Sequence, residues 1–99
     1  MIADYFRQRE RARFVTVSAM TDTRKILSTN LRVLRGARKK SQELLAEIAG
    51  IDRSFISDTE NGKYGISIDK LESLAGALEV EPWELLHPDT AKKYKGDAD

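Results

Sequence analysis

Arg53, Ser54, Ser57, Asp58 and Asn61 stand at offsets of one, four, five and eight, a spacing that puts them on one side of a helix. Phe55, Ile56 and Thr59 fall on the other side. A guanidinium, two hydroxyls, a carboxylate and a carboxamide in one row can make hydrogen bonds to a polar partner, but they make no catalytic constellation. The chain has no cysteine, no phosphate-binding glycine loop and a single histidine, His87, next to a proline in what reads as a tail. Neither a nucleophile with its base nor a metal ligand set can be assembled from these residues, so no enzyme activity, cofactor or metal is expected.

The elements that must carry this row are two short helices meeting at a glycine. Ser41 sits where an N-cap should, its hydroxyl able to accept from the backbone of a helix starting at Gln42. Leu45, Ala46 and Ala49 mark that helix's inner face, and the small Ala46 lets a second helix cross closely. Gly50 is expected to leave the helix through a left-handed conformation, which glycine adopts at low cost. Asp52 is then the cap of the helix that begins at Arg53. Helices of about two turns are not stable alone, so the polar side is expected to face a partner. Duplex DNA fits that role, because its major groove admits a helix whose first turn reaches the base edges.

Gln42, Leu45-Ala46, Gly50, Ile56-Ser57 and Glu60-Asn61-Gly62-Lys63 together resemble the helix-turn-helix of phage-repressor-type (Xre) transcriptional regulators. The resemblance covers roughly Thr23 to Leu86. It implies an all-α fold, a compact bundle of about five short helices, and a homodimer that binds double-stranded DNA at a palindromic operator and represses or activates a promoter. It assigns Gln42 to a phosphate, Arg53 and Ser54 to base reading, and Ser57 and Asp58 to the same face. Asn61, Gly62 and Lys63 would grip the backbone on the far side, with Arg38 and Lys40 supplying further positive charge. Asp58 would either accept from a cytosine amino group or orient Arg53 or Ser54. Arg35 is expected to pair with Glu60 inside the fold, and Ile66, Pro82, Trp83 and Leu86 to form the dimer surface. The start of the reading helix, Asp52-Arg53-Ser54, is similar to that of small controller proteins of restriction-modification operons, with short phage repressors nearly as good a match. Two rival readings are an antitoxin that also binds a toxin and a protein-interaction module without DNA binding.

Two departures from the family pattern stand out. Arg38-Lys39-Lys40 occupies a corner where relatives usually have glycine and then an apolar residue, so either the corner is looser or the Lys40 stem lies along the core edge with its ammonium near a phosphate. Leu44 and Ile48, one turn apart on a face usually left polar, form an apolar strip expected to be covered by the N-terminal extension or by a protein partner.

At 99 residues the chain has room for one domain. The boundaries expected are an N-terminal extension over residues 1–21, the helix-turn-helix domain over 22–88 and a flexible tail over 89–99. The first helix is capped at Asp22 or Thr23 and buries Leu27, Leu31 and Leu34. A fourth follows Ser67 through Leu71, Leu74, Ala75 and Leu78, and a last short one runs from Pro82 to Leu86. The net charge of +1 hides a division: residues 1–40 carry 11 Lys/Arg against 3 Asp/Glu, whereas residues 41–99 carry 6 against 13. Three readings stay open for the arginine-rich extension: a solvated, flexible segment or else an upstream start codon with Met20 as the real start, a basic arm on DNA, or a strand added at a dimer interface. With no cysteine, no signal peptide and no apolar run long enough to cross a bilayer, a cytoplasmic location without membrane contact is expected.

Overall fold

A computed structural model describes residues 23–63 and 65–98; the N-terminal extension with its three readings lies outside them, as do residue 22, Tyr64 and Asp99. Five α-helices and one 3-10 helix make up the fold, with no strand among the described residues. α1 covers residues 23–37, α2 Gln42–Ala49, α3 Arg53–Glu60, α4 Ile68–Ala77 and α5 Thr90–Ala98, and the 3-10 helix Pro82–Leu86 lies between the last two. The class is all-α, as the sequence reading had it. Thr23 is already helical, so the cap expected at Asp22 or Thr23 lies at or before the first described residue.

The core follows the apolar periodicity. Leu27, Leu31 and Leu34 recur at one face of α1 and are buried against Leu45 and Ala46 of α2, Ile56 of α3, Leu71, Leu74 and Ala75 of α4, then Leu78 and Leu85. Each such leucine contributes about 1.5 to 3 kcal/mol on burial, which is what holds helices of eight to ten residues together. Ser41 and Ser67 cap α2 and α4, their hydroxyls accepting from the N-H of Leu44 at 3.0 Å and of Lys70 at 3.2 Å. Asp52 occupies the N-cap position of α3, but its side chain accepts no capping bond. Phe55 is half-buried, with the Lys70 ammonium 4.0 Å from its ring centroid, and this contact joins α3 to α4.

Four helices end in the same hydrogen-bonded turn, in which a residue just past the helix end donates back five positions. The pairs are Lys40 to Arg35, Ile51 to Ala46, Lys63 to Asp58 and Val80 to Ala75, all at 3.0 Å between N and O. The residue before each of these donors must take positive φ. Gly50 (69°) and Gly62 (70°) do so without penalty, whereas Lys39 (54°) and Glu79 (60°) do so with a Cβ that crowds the following carbonyl. The α1–α2 corner is therefore not loose, although a lysine stands at its left-handed position.

After α4 the structure departs from the sequence reading. Pro82–Leu86 is a 3-10 helix, in which Trp83 is 62% exposed and Leu85 is fully buried. The expectation of a flexible tail is corrected over Thr90–Ala98, which is helical and returns to the domain. Three contacts bring it back: the Thr90 hydroxyl donates to the Glu84 carbonyl, the Tyr94 hydroxyl donates to the Glu84 carboxylate at 3.3 Å, and the Tyr94 ring lies 5.4 Å from the Arg38 guanidinium. Asn30, buried in α1, supports the same corner by donating from Nδ2 to the carbonyls of Leu85 at 2.9 Å and His87 at 2.8 Å. These groups lie 54 or more positions from Asn30 in the chain, so no local pattern announces the contact.

The contrast between the helix ends gives a prediction of opposite signs. Lys39→Gly should stabilise the protein by about 0.5 to 1 kcal/mol, the relief of the left-handed conformation exceeding the added entropy of the unfolded chain. Gly50→Ala, with no atom near enough to clash, should cost about 1 to 2 kcal/mol through backbone conformation alone. Urea unfolding of the two variants beside the parent checks both signs.

Candidate nucleic-acid interface

Three elements converge on the carboxylate of Glu60, at the last turn of α3. The Arg35 guanidinium in α1 donates from Nε to Oε2 at 2.7 Å and from a terminal nitrogen to Oε1 at 3.1 Å, a bidentate pair. Gln42 at the start of α2 donates from Nε2 to Oε1 at 3.2 Å. Arg35 also donates to the Lys40 carbonyl at 3.1 Å, and Arg32 donates to the Glu60 backbone carbonyl at 2.6 Å. The Glu60 side chain is 5% exposed and that of Arg35 22%. The hydrogen bond to Glu60 holds the Arg35 pKa above its ordinary value, against the opposing effect of burial, with the charges of Glu60 and Glu43 adding to it. This cluster fixes both the beginning of α2 and the end of α3 against α1.

With its inner face and its end held, α3 turns Arg53, Ser54 and Asn61 outward, with Ser57 and Asp58 half-exposed between them. Gln42 is half-exposed beside this face, its amide engaged by Glu60. Arg53 is not oriented by Asp58. Its Nε lies 2.9 Å from a carboxylate oxygen of Glu43 in α2, while Asp58 sits 3.8 Å from the ammonium of Lys63. Asp58 instead pairs within the turn that ends α3. Glu43 had no part in the sequence reading; an acidic residue in a first helical turn is ordinary, and nothing local links it to an arginine ten positions on.

Arg38 and Lys40, expected to supply further positive charge, both reach the end of α4. Arg38 donates to the carbonyls of Leu78 at 2.8 Å and Glu79 at 3.4 Å, at the end of α4. The Lys40 side chain is only 15% exposed, and its ammonium lies 3.8 Å from Glu79. Its stem lies against the domain as one alternative had it, but its charge meets a carboxylate. The physical reason is the left-handed turn at Lys39, which sends both neighbours toward the equally left-handed turn at Glu79.

Of the residues expected at a dimer surface, Ile66 and Pro82 are half-buried, whereas Trp83 and Leu86 are exposed at 62% and 37%. Ile68 in the first turn of α4, 67% exposed, is a further apolar group that the sequence reading passed over. Leu44 and Ile48 stand on the outside of α2 at 41% and 51%. Among the described residues no cluster of three or more His, Cys, Asp or Glu could hold a metal ion, and no helix is long and apolar enough to cross a membrane.

The helix-turn-helix family profile matches residues 31–85, more than half of the chain. The chain belongs to the helix-turn-helix family, among its Xre-type transcriptional regulators. This is a family of regulators, not of enzymes. The regulator is 37% identical over 67 residues to a hypothetical transcription factor of Neisseria meningitidis serogroup B, an alignment spanning 68% of this chain and 63% of that protein. The chain thus spans just under two thirds of that relative's length. The control protein C.SmaI of Serratia marcescens is 35% identical over 75 residues, 76% of this chain and 89% of C.SmaI. Among solved structures, a hypothetical transcription factor from Neisseria matches with a TM-score of 0.67 at 34% identity, covering 72% of this chain and 82% of that one. The restriction-modification controller protein C.AhdI from Aeromonas hydrophila matches with a TM-score of 0.61 at 40% identity, covering 63% and 94%.

If the Glu60 cluster holds the two helices together, Glu60→Ala should cost about 3 kcal/mol, because it strands the Arg35 guanidinium in a half-buried site. The double replacement Arg35→Met with Glu60→Leu should cost less than half of that. Chemical unfolding of the parent and both variants measures the difference, and equal losses would show that the charge itself is not what matters.

Proposed function

We propose that this regulator binds double-stranded DNA as a homodimer at a palindromic operator and controls transcription there from the cytoplasm, as a control protein of the kind C.SmaI and C.AhdI represent. The observation that carries the reading is the outward polar face of α3, with a guanidinium in its first turn, on a helix whose other face and far end are both fixed. At eight residues α3 is about 12 Å long, a length the major groove accommodates. Arg53 meets the O6 and N7 acceptors of a guanine, and Ser54 reads beside it. Ser57 and Asp58 lie further along the same groove, Asp58 with Lys63 as its partner. Gln42, from the start of α2, turns its amide and its backbone N-H to a phosphate on one side. Asn61 and Lys63 take the phosphates on the other.

One such helix contacts too few base pairs for useful specificity, so two copies act together with half-site centres one helical turn apart, about 34 Å. Trp83, Leu86, Ile66 and Pro82 supply the surface between them. A second reading has one specific observation in its favour. The exposed Leu44 and Ile48 give α2 an apolar outer strip that DNA binding leaves unused, which favours an additional protein partner such as a toxin.

Selection from a pool of random duplexes should return a symmetric site, and affinity should fall with salt by a logarithmic slope of about 0.9 for every phosphate contacted. Arg53→Ala should relax preference at one base pair in each half-site, at a cost of about 1 to 3 kcal/mol per contact. Lys63→Ala should weaken all sequences alike and reduce the salt slope by about one per protomer. Asymmetric selected sites, or identical sequence profiles for the two variants, would overturn the assignment.

A further inference from the structure

Glu43 stands in the first turn of α2 and Arg53 in the first turn of α3, and their side chains meet across the corner with Nε 2.9 Å from Oε1. Both are largely exposed, Arg53 at 59% and Glu43 at 66%. An exposed pair of this kind adds little to stability. A carboxylate beside a DNA-facing surface also repels phosphate. Attraction to DNA would be served better by a neutral residue at position 43.

The contact makes sense for what it does to Arg53. A guanidinium has two edges that can grip a pair of acceptors, one made by Nε with a terminal nitrogen and one made by the two terminal nitrogens. Glu43 lies against the Nε side as an ion pair, without a hydrogen bond, and among the described residues no other partner engages Arg53. The remaining edge is the end of the side chain, where two parallel N-H groups match the O6 and N7 acceptors of guanine. Holding Nε also restricts the rotamers that a long side chain would otherwise lose on binding. Finally, a cation in the first turn of a helix is opposed by the positive end of the helix dipole, and the nearby carboxylate offsets that.

The geometry points to Glu43 as a positioning residue for base reading: it presents the terminal edge of Arg53 to a guanine and so sets sequence preference without touching a base. This rests on the reading of Arg53 as the base-contacting arginine proposed above. It gives the acidic residue an effect that a structural role would not have, because discrimination and general affinity move in opposite directions when it is removed.

The test uses the full chain and a duplex selected by the parent protein from a random pool, together with the same duplex altered at the selected guanine and an unrelated duplex. Arg53→Ala should abolish the preference for guanine. Glu43→Ala should reduce that preference about five- to tenfold, while binding the unrelated duplex as tightly as the parent or more tightly. Glu43→Gln, which keeps an acceptor oxygen, should retain part of the preference. The double variant should discriminate no worse than Arg53→Ala alone. Melting temperatures should match the parent, since both side chains are exposed; if Glu43→Ala alone were unfolded, Glu43→Gln still carries the test. Full guanine preference in the Glu43 variants, with Arg53→Ala losing it, would remove the role of Glu43 and leave the Arg53 reading intact. An equal loss for all duplexes on removing Glu43 would likewise overturn the proposal. Full preference in Arg53→Ala would overturn the reading of Arg53 itself, and the role of Glu43 with it.

Discussion

The carboxylate of Glu60 is the constraint on which the rest of the structure depends. Taken out of water at the end of α3, an ionised carboxylate is costly unless its lone pairs are met, and here they are met by the fork of Arg35 and the amide of Gln42. Those partners come from α1 and α2, so satisfying one charge brings three helices to a common point. Apolar packing alone would leave eight-residue helices some freedom to slide or rotate against one another. A bidentate pair with defined directions removes that freedom, and the angle at which α3 offers its outer face follows from it.

Charge elsewhere is used in the same way, to direct the backbone rather than to coat the surface. Arg38 and Lys40 end at the C-terminus of α4, where unpaired carbonyls and the negative end of the helix dipole give a cation a favourable site. Two cations near the outer face of α3 are accompanied by a carboxylate, Glu43 for Arg53 and Asp58 for Lys63. Such a surface attracts DNA less strongly than a bare basic patch and depends more on whether each group finds its partner. That balance suits the function proposed above, in which one site is distinguished from many others of equal phosphate charge.

The C-terminal corner shows how a short fold completes itself. The 3-10 helix exposes more carbonyls at its end than its own bonds can satisfy. Asn30 takes those of Leu85 and His87, and Thr90 takes that of Glu84. Once Thr90 is tied there, α5 starts in the right direction for Tyr94 to reach Glu84 and to lie against Arg38. The buried Asn30 and the C-terminal helix are thus two sides of one solution to the same unpaired carbonyls.

What the sequence determined by itself is the part governed by short-range rules. The caps at Ser41 and Ser67, the left-handed exit at Gly50, the leucine stripes and the division of α3 into an inner and an outer face all depend on neighbours within a turn or two. They could be read from spacing, and the family resemblance rested on the same residues. Tertiary structure decided where the long charged side chains end. Arg38 and Lys40 have stems long enough to reach several surfaces, and which one they reach is set by a left-handed turn at Lys39 that no glycine announced. The meeting of Glu43 with Arg53 depends on the crossing of α2 and α3, and the helical state of Thr90–Ala98 on a carbonyl cluster whose buried donor, Asn30, lies in the first helix. A polar tail composition gives no sign of such a site, because the energy that orders it comes from partners far away in the chain.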